Sequence, residues 1–328
     1  MPDNQSSAPI SPRIDLIDAA RGCAMLAMFV YHFCWNLAYF RYLGRDVVEA
    51  SLWRGFAMSI AASFLFLVGV SLVLATRNGV RWNSFFKRLG SVIASALLVT
   101  IVTYFLFPTS FIFFGILHSI AAASVLGLAF LHMPLVLIAV AAFAVFLAPH
   151  IFADPYFNAW AWRWLGLMTY FPQTNDYEPV LPWFSATLTG ILVARVAIKT
   201  GAMEQIAQWQ ATTYPARILC LGGRHSLIIY LVHQPILFGL VWLAALIAPA
   251  PGFGPITAER YHGICTSNCI EGGYDNKAFC TVYCTCLQET LTNEGLMASI
   301  LANELTSDQQ SKIGETAYWC QEQAETAQ

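Results

Sequence analysis

The chain has 328 residues, of which 57% are hydrophobic, 14% aromatic and only 11% charged. Soluble domains carry about 25% charged and about 45–50% apolar residues, so a mean hydropathy of +0.57 excludes a disordered chain and argues against a water-soluble enzyme. A net charge of −2 with no basic stripe also argues against nucleic acid as a partner. The fold class expected is an all-α integral membrane protein.

A hydrocarbon core of about 30 Å is crossed by roughly 20 apolar residues in helix. Seven stretches have this character: about 20–40, 54–76, 88–107, 111–130, 133–152, 181–198 and 225–248. They predict a bundle of about seven or more transmembrane helices. Only Leu131, His132, Met133 and Pro134 separate the fourth stretch from the fifth, which predicts antiparallel neighbours. Trp160, Trp162, Trp164 and Tyr170 read as an interfacial segment, because aromatic rings settle at headgroup level. Residues 205–217 are polar enough for a surface helix.

The chain then changes character. Residues 1–254 carry 14 Lys/Arg against 9 Asp/Glu, whereas 255–328 carry 3 against 10 and hold six of the nine cysteines. A membrane domain (1–254) and a small, acidic, cysteine-rich helical appendage (255–328) are therefore expected. Basic residues mark cytoplasmic loops. Arg13 and Arg21 stand at the amino terminus, Arg77, Arg81, Lys87 and Arg88 after the second stretch, and Arg195, Lys199, Arg217 and Arg224 after the sixth. The intervening loops hold Arg41, Arg45, Arg54 and Arg163. Seven alternating spans then place the amino terminus in the cytoplasm and the tail outside, with the first span as an uncleaved anchor.

Ionisable groups inside spans are costly and mark candidate sites. Arg21, Met25, Met28 and His32 share one helix face, with Asp18 three residues before Arg21 and Asn36 one turn beyond His32. At 1.5 Å per residue His32 lies about 16 Å from Arg21, in the outer half of the bilayer. His118, about 10 Å below the outer face, is expected at the same depth. Asp176 and Glu178, just before Pro182-Trp183-Phe184, would stand at the outer mouth of that centre, and His233, ahead of Pro235, nearer the cytoplasm. A desolvated, neutral histidine can act as a general base; one hydrogen-bonded between helices can equally be structural. A transporter with a His/Arg proton relay and a haem carrier with His32 and His118 as axial ligands would use the same residues. The chain shows no internal repeat and no C-x-x-C-H motif.

In the tail, Cys265-x3-Cys269 and Cys280-x3-Cys284 put each pair of sulfurs on one helix face, followed by Cys286 and Cys320. Two such helices could be stapled as Cys265–Cys284 and Cys269–Cys280, with Cys286–Cys320 as the third bridge. Six cysteines allow 15 connectivities, and a four-cysteine zinc site has acceptable spacing too. An extracytoplasmic tail favours disulfides, so no metal is expected.

Arg21 and His32 form an R-x10-H pattern that resembles the first-helix signature of the acyltransferase-3 family. RIDLIDAARG (13–22), MFVYHFCWNL (28–37), SFLFLVGVSL (63–72), FGILHSIA (114–121), PVLPWFSATLTGI (179–191) and LGGRHSLIIYLVHQP (221–235) resemble, in order, bacterial relatives of heparan-alpha-glucosaminide N-acetyltransferase. One departure is Leu43, which stands where the lysosomal members carry their own active histidine. The resemblance implies an acyltransferase of a bacterial inner membrane. It would move an acetyl group from cytoplasmic acetyl-CoA, used as co-substrate with no permanently bound cofactor, to a sugar hydroxyl or amine on the far side. Arg21 and His32 carry over onto the motif, and His118 joins them as a catalytic candidate. Asp18, Asn36, Asp176, Trp183 and His233 are substrate-binding candidates. The anionic nucleotide of the donor would stay near Arg77, Arg81, Lys87, Arg88 and Arg224. Gly69, Ser71 and Gly115 could form a slot for its pantetheine arm or simply let helices pack closely. The partners implied are the lipid bilayer, acyl-CoA and an extracytoplasmic glycan; homodimerisation is left open.

Overall fold

A computed structural model describes residues 13–44, 47, 50–248, 250, 258–271, 277–302 and 305–326. Arg45 and the expected domain break at 254/255 lie outside the described residues. The described residues form helices and no strand; one isolated bridge joins Phe114 and Tyr177. They divide into two compact units, Met1–Ala244 and Ala245–Gln328.

The first unit holds α1 (Asp15–Tyr39), α2 (Ser51–Thr76), α3 (Trp82–Leu106), α4 (Ile116–Leu128), α5 (Leu135–Phe152), α6 (Val180–Lys199), α7 (Ala202–Gln208), α8 (Tyr214–Arg224) and all but the last turn of α9 (Ser226–Ile247). Six of them, α1, α2, α3, α5, α6 and α9, are long and apolar enough to cross a membrane. Large apolar side chains such as Phe105 on α3, Phe143 on α5 and Ile247 on α9 point outward, as a lipid-facing surface requires. The core instead centres on Leu65 of α2 and on Leu188 and Ile191 of α6.

Helix α2 crosses α6 through a reciprocal pair of glycines. A Cβ on Gly69 would stand 2.1 Å from the Thr187 carbonyl oxygen, and one on Gly190 would stand 2.1 Å from that of Phe66. Backbones so close leave room for no side chain, and the Thr187 hydroxyl donates across the crossing to the Leu65 carbonyl at 3.1 Å. A second crossing joins α1 to α8. There a Cβ on Gly22 would meet the Leu219 carbonyl at 2.1 Å, and one on Gly223 would meet that of Asp18 at 1.8 Å.

Three sequence expectations change. The fourth stretch, 111–130, is not a full-length span: α4 has 13 residues, about 20 Å of helix. The segment before it leaves the helix because side chains of α3 satisfy its backbone. Thr100 Oγ1 donates to the Ile112 carbonyl and the Ile112 N–H donates to Thr103 Oγ1. Non-helical backbone at such depth needs protein partners of this kind. Helix α5 packs along α6 rather than as the antiparallel neighbour of α4. Residues 205–217 are not one surface helix but the end of α7, a break and the start of α8. The aromatic segment forms two short 3-10 turns, Pro155–Asn158 and Trp160–Leu165, with Trp160, Trp162 and Trp164 exposed.

The second unit consists of α10 (Ala258–Glu271), α11 (Lys277–Asn293), α12 (Met297–Ala302) and α13 (Ser307–Thr326). Cys265–Cys284 and Cys269–Cys280 staple α10 to α11, and Cys286–Cys320 ties α11 to α13. This is the pairing that the C-x3-C spacing suggested. Its small core is Leu287, Leu291, Leu296, Met297 and Cys320. Among the described residues no group of three or more His, Cys, Asp or Glu side chains is placed to hold a metal.

Candidate functional site

At the amino-terminal end of α1 the charges form a chain of ion pairs. Arg21 Nη1 donates to Asp18 at 3.1 Å and Nη2 to the Ser71 hydroxyl of α2. Arg224 of α8 reaches Asp18 through Nε at 3.1 Å and Asp15 through Nη2 at 2.8 Å. The second Asp15 oxygen accepts the Ala211 N–H at 3.2 Å. Asp15 and Asp18 also sit in the first turn of α1, where negative charge complements the helix dipole. Asp18, Arg21 and Arg224 thus hold α1, α2 and α8 in register. Arg77 pairs with Glu204 at 3.3 Å, which joins the α2–α3 turn to α7. Arg81, Lys87 and Arg88 are exposed, and Arg88 lies within electrostatic range of Arg21. The basic residues expected near the donor therefore gather at the end of the unit where α1 begins.

Further along α1 stands a second polar group. His32 is partly exposed, and its ring centroid lies 5.0 Å from that of His233 on α9. The partner of His32 is therefore His233, and no ring contact with His118 exists among the described residues. The expectation that His233 lies nearer the cytoplasm is corrected by this contact: rings 5.0 Å apart, one on α1 and one on α9, stand at one level.

His233 is 6% exposed, and Nδ1 donates to the Tyr230 carbonyl at 2.5 Å. A carbonyl only accepts, so the proton is on Nδ1 and Nε2 carries a lone pair; that nitrogen is buried without a partner among the described residues. Phe29 stacks on the same ring at 5.4 Å and Tyr230 lies 5.5 Å from it. Asn36, one turn beyond His32, is fully buried; its Oδ1 accepts from Gln234 Nε2 at 3.0 Å. Asn36 Nδ2, Gln234 Oε1, Trp53 Nε1 and Glu178 Oε2 are likewise buried with no hydrogen-bond partner among the described residues. Trp53 stacks on Tyr31, the neighbour of His32, and Asp176 and Glu178 lie within electrostatic range of Tyr31 and Tyr230. Buried polar groups are almost always satisfied. With His233 Nε2 these make five buried polar atoms that have no hydrogen-bond partner among the described residues, three of them on His233, its neighbour Gln234 and the Asn36 that Gln234 meets.

His118 is placed differently. Nδ1 accepts the Gly115 N–H at 3.3 Å, which leaves its proton on Nε2, 3.3 Å from the Thr100 hydroxyl. Both nitrogens are engaged in holding the start of α4. Asp176 Oδ2 accepts the Ile116 N–H at 2.9 Å and so caps the same helix; a Cβ on Gly115 would occupy its place. Burial pushes the Asp176 carboxyl up to about 6 and raises Glu178 well above the usual carboxylate range, with the charge of Asp176 adding to the latter. Burial also pushes the neighbouring Tyr177 phenol up to about 12. Trp183 packs against the core of α2 and α6. Gly69 serves the α2–α6 crossing, and Ser71 serves Arg21.

Gln234, Tyr230 and Trp53 are cluster members that sequence reasoning missed. The signal for Gln234 was present, since an amide beside a histidine in an apolar span is itself a costly residue.

Comparison with curated proteins and with solved structures returns no match. The heparan-alpha-glucosaminide N-acetyltransferase catalytic domain does match, over residues 13–235, a stretch that contains both the ion-pair chain and the histidine cluster. Covering more than half of the sequence, it shows that the chain belongs to this family of membrane acetyltransferases.

Proposed function

We propose that the protein moves an acetyl group from acetyl-CoA on the cytoplasmic side of a bacterial inner membrane to a sugar hydroxyl or amine on the other side. His32 acts as general base. The acceptor O–H or N–H gives its proton to the imidazole as the acceptor atom attacks the thioester carbonyl carbon. The C–S bond then breaks, and the departing thiolate takes the proton back from the imidazolium. The observation that carries this reading is the pairing of His32 with His233 inside a cluster of unsatisfied polar atoms.

The sidedness draws on the clustering of charge. Asp15–Arg224 and Arg77–Glu204 put the start of α1, the α2–α3 turn and α7–α8 on one face, and these segments carry most of the loop lysines and arginines. Such loops stay in the cytoplasm. A tail held by three disulfides belongs in an oxidising compartment, here the periplasm. Residues 1–254 form the transferase domain and 255–328 the periplasmic appendage. Arg81, Lys87 and Arg88 attract the nucleotide phosphates, with Arg77 and Arg224 adding positive potential at the same face.

The test is transfer of label from radioactive acetyl-CoA to a cell-envelope extract by the purified protein in liposomes. His32→Ala lowers transfer by about 10²–10⁴-fold, the usual contribution of a general base, while its yield in the membrane matches the wild type. Undiminished transfer by a well-folded His32→Ala protein would refute the mechanism.

A further inference from the structure

Residues 174–178, just ahead of α6, are fixed along residues 110–114. The Asn175 N–H donates to the Ser110 carbonyl at 2.9 Å, Thr174 Oγ1 to that of Phe111 at 2.8 Å and the Glu178 N–H to that of Phe114 at 3.1 Å. Although this backbone is tied down, the Glu178 side chain keeps Oε2 buried with no hydrogen-bond partner among the described residues. Burial, and then the charge of Asp176 beside it, raises the Glu178 carboxyl well above the usual carboxylate range. No ion pair among the described residues includes either acid. Tyr31 of α1 and Tyr230 of α9 lie within electrostatic range of both acids, and their rings stand 5.4 Å from that of His32 and 5.5 Å from that of His233. The other titratable groups nearby are engaged: His118 with Gly115 and Thr100, Arg163 with the Asn158 carbonyl and Tyr170, and the Tyr177 hydroxyl with the Arg163 carbonyl. Two neighbouring buried carboxyls are costly to ionise without a cation, and an arriving cation relieves both.

We propose that Glu178 selects the acceptor by charge: its carboxyl receives an amine-bearing sugar as the ammonium ion and disfavours sugars that carry sulfate or carboxylate. The proposal rests on the acetyl-transfer reading above, taken with an amine as acceptor, and adds the residue that discriminates. An ammonium group only donates, and the unpaired Glu178 oxygen is an acceptor once the carboxyl ionises. An anionic sugar would meet two acids there, with Arg163 turned to other partners. The nitrogen must lose two protons on becoming an amide. One passes to the Glu178 carboxylate and from there to solvent, which frees the lone pair for attack on the thioester carbon. The second goes to His32 and on to the departing thiolate. A carboxyl of raised proton affinity is better matched to an ammonium than an ordinary one, which suits the first of these transfers.

The test uses the full chain in liposomes with radioactive acetyl-CoA and two probes, glucosamine and glucosamine 6-sulfate, which differ by one anionic group. The wild type should prefer glucosamine in kcat/KM by about tenfold or more, as expected where like charges are brought together. Glu178→Gln keeps the shape and removes the charge. It should raise the KM for glucosamine about 10- to 100-fold, the range expected for one hydrogen bond to a charged group, and cut the preference to about threefold or less. Half-saturation by acetyl-CoA should stay within about twofold. Raising the pH from about 6.5 to about 8.5, where amines of this kind lose their proton, should narrow the gap between variant and wild type. Equal use of the two sugars by the wild type overturns the inference, and so does a loss in the variant that is the same for both sugars and at every pH. Transfer to neither sugar also overturns it, but protein-dependent label on an envelope extract would then leave the acetyl-transfer reading standing; no label on either overturns both. Should the variant fail to reach the membrane, the preference of the wild type decides alone.

Discussion

Residues of one type take different roles here according to what their neighbours leave free. His118 has both ring nitrogens engaged with Gly115 and Thr100, whereas His233 keeps Nε2 unpaired among the described residues, beside His32. Two acids just ahead of α6 divide similarly: Asp176 caps α4, and Glu178 keeps one oxygen without a partner among the described residues. Burial raises the Asp176 carboxyl from 3.8 to about 6. A carboxyl raised in the folded state favours folding at low pH; that contribution is whole below about pH 4 and is lost as pH rises through 6. Asp176→Asn keeps an oxygen for the Ile116 N–H and removes the titration. Thermal unfolding in detergent between pH 4.5 and 7.5 should therefore show the wild type losing stability relative to this variant as pH rises. Parallel curves would mean that the carboxyl does not titrate in this window.

Among the helices, register is set where backbones touch. The α2–α6 crossing at Gly69 and Gly190 and the α1–α8 crossing at Gly22 and Gly223 admit no side chain. Gly190→Val would drive new atoms into the Phe66 carbonyl, and overpacking of this kind costs about 1–3 kcal/mol or more. We expect its unfolding midpoint to fall by several degrees in a detergent melt. Gly222→Ala, which adds a methyl where nothing lies within 4 Å, should leave the midpoint unchanged. Equal behaviour of the two variants would remove the crossings as determinants of register. The α1–α8 crossing lies one helix before α9, whose His233 ring stands 5.0 Å from that of His32 on α1.

Across the whole molecule, two units are built by different means. The membrane unit relies on helix packing with apolar faces turned outward, and the appendage on a core of a few leucines and three disulfides. Small domains with so little core commonly need such covalent links. Reduction under native conditions should make α10–α13 sensitive to limited proteolysis while α1–α9 keep their protection in detergent. Persistence of a resistant tail fragment after full reduction would show that its core suffices alone.

The sequence by itself determined the membrane class, four of the six long helices to within three residues of their observed limits and the R-x10-H face of α1, and it suggested the pairing of the tail cysteines. Each follows from periodicity or from runs of apolar residues, which are local properties of a chain. The short α4 could not be read this way, because its apolar composition satisfies a span while its start is fixed by Thr100, Thr103 and Asp176 from elsewhere. The exchange of His118 for His233 as the neighbour of His32, and the half-satisfied amides of Asn36 and Gln234, were decided by tertiary structure alone. Depth along one helix can be counted in residues, but the relative level of two helices depends on where their backbones meet, and that contact is not written in either segment.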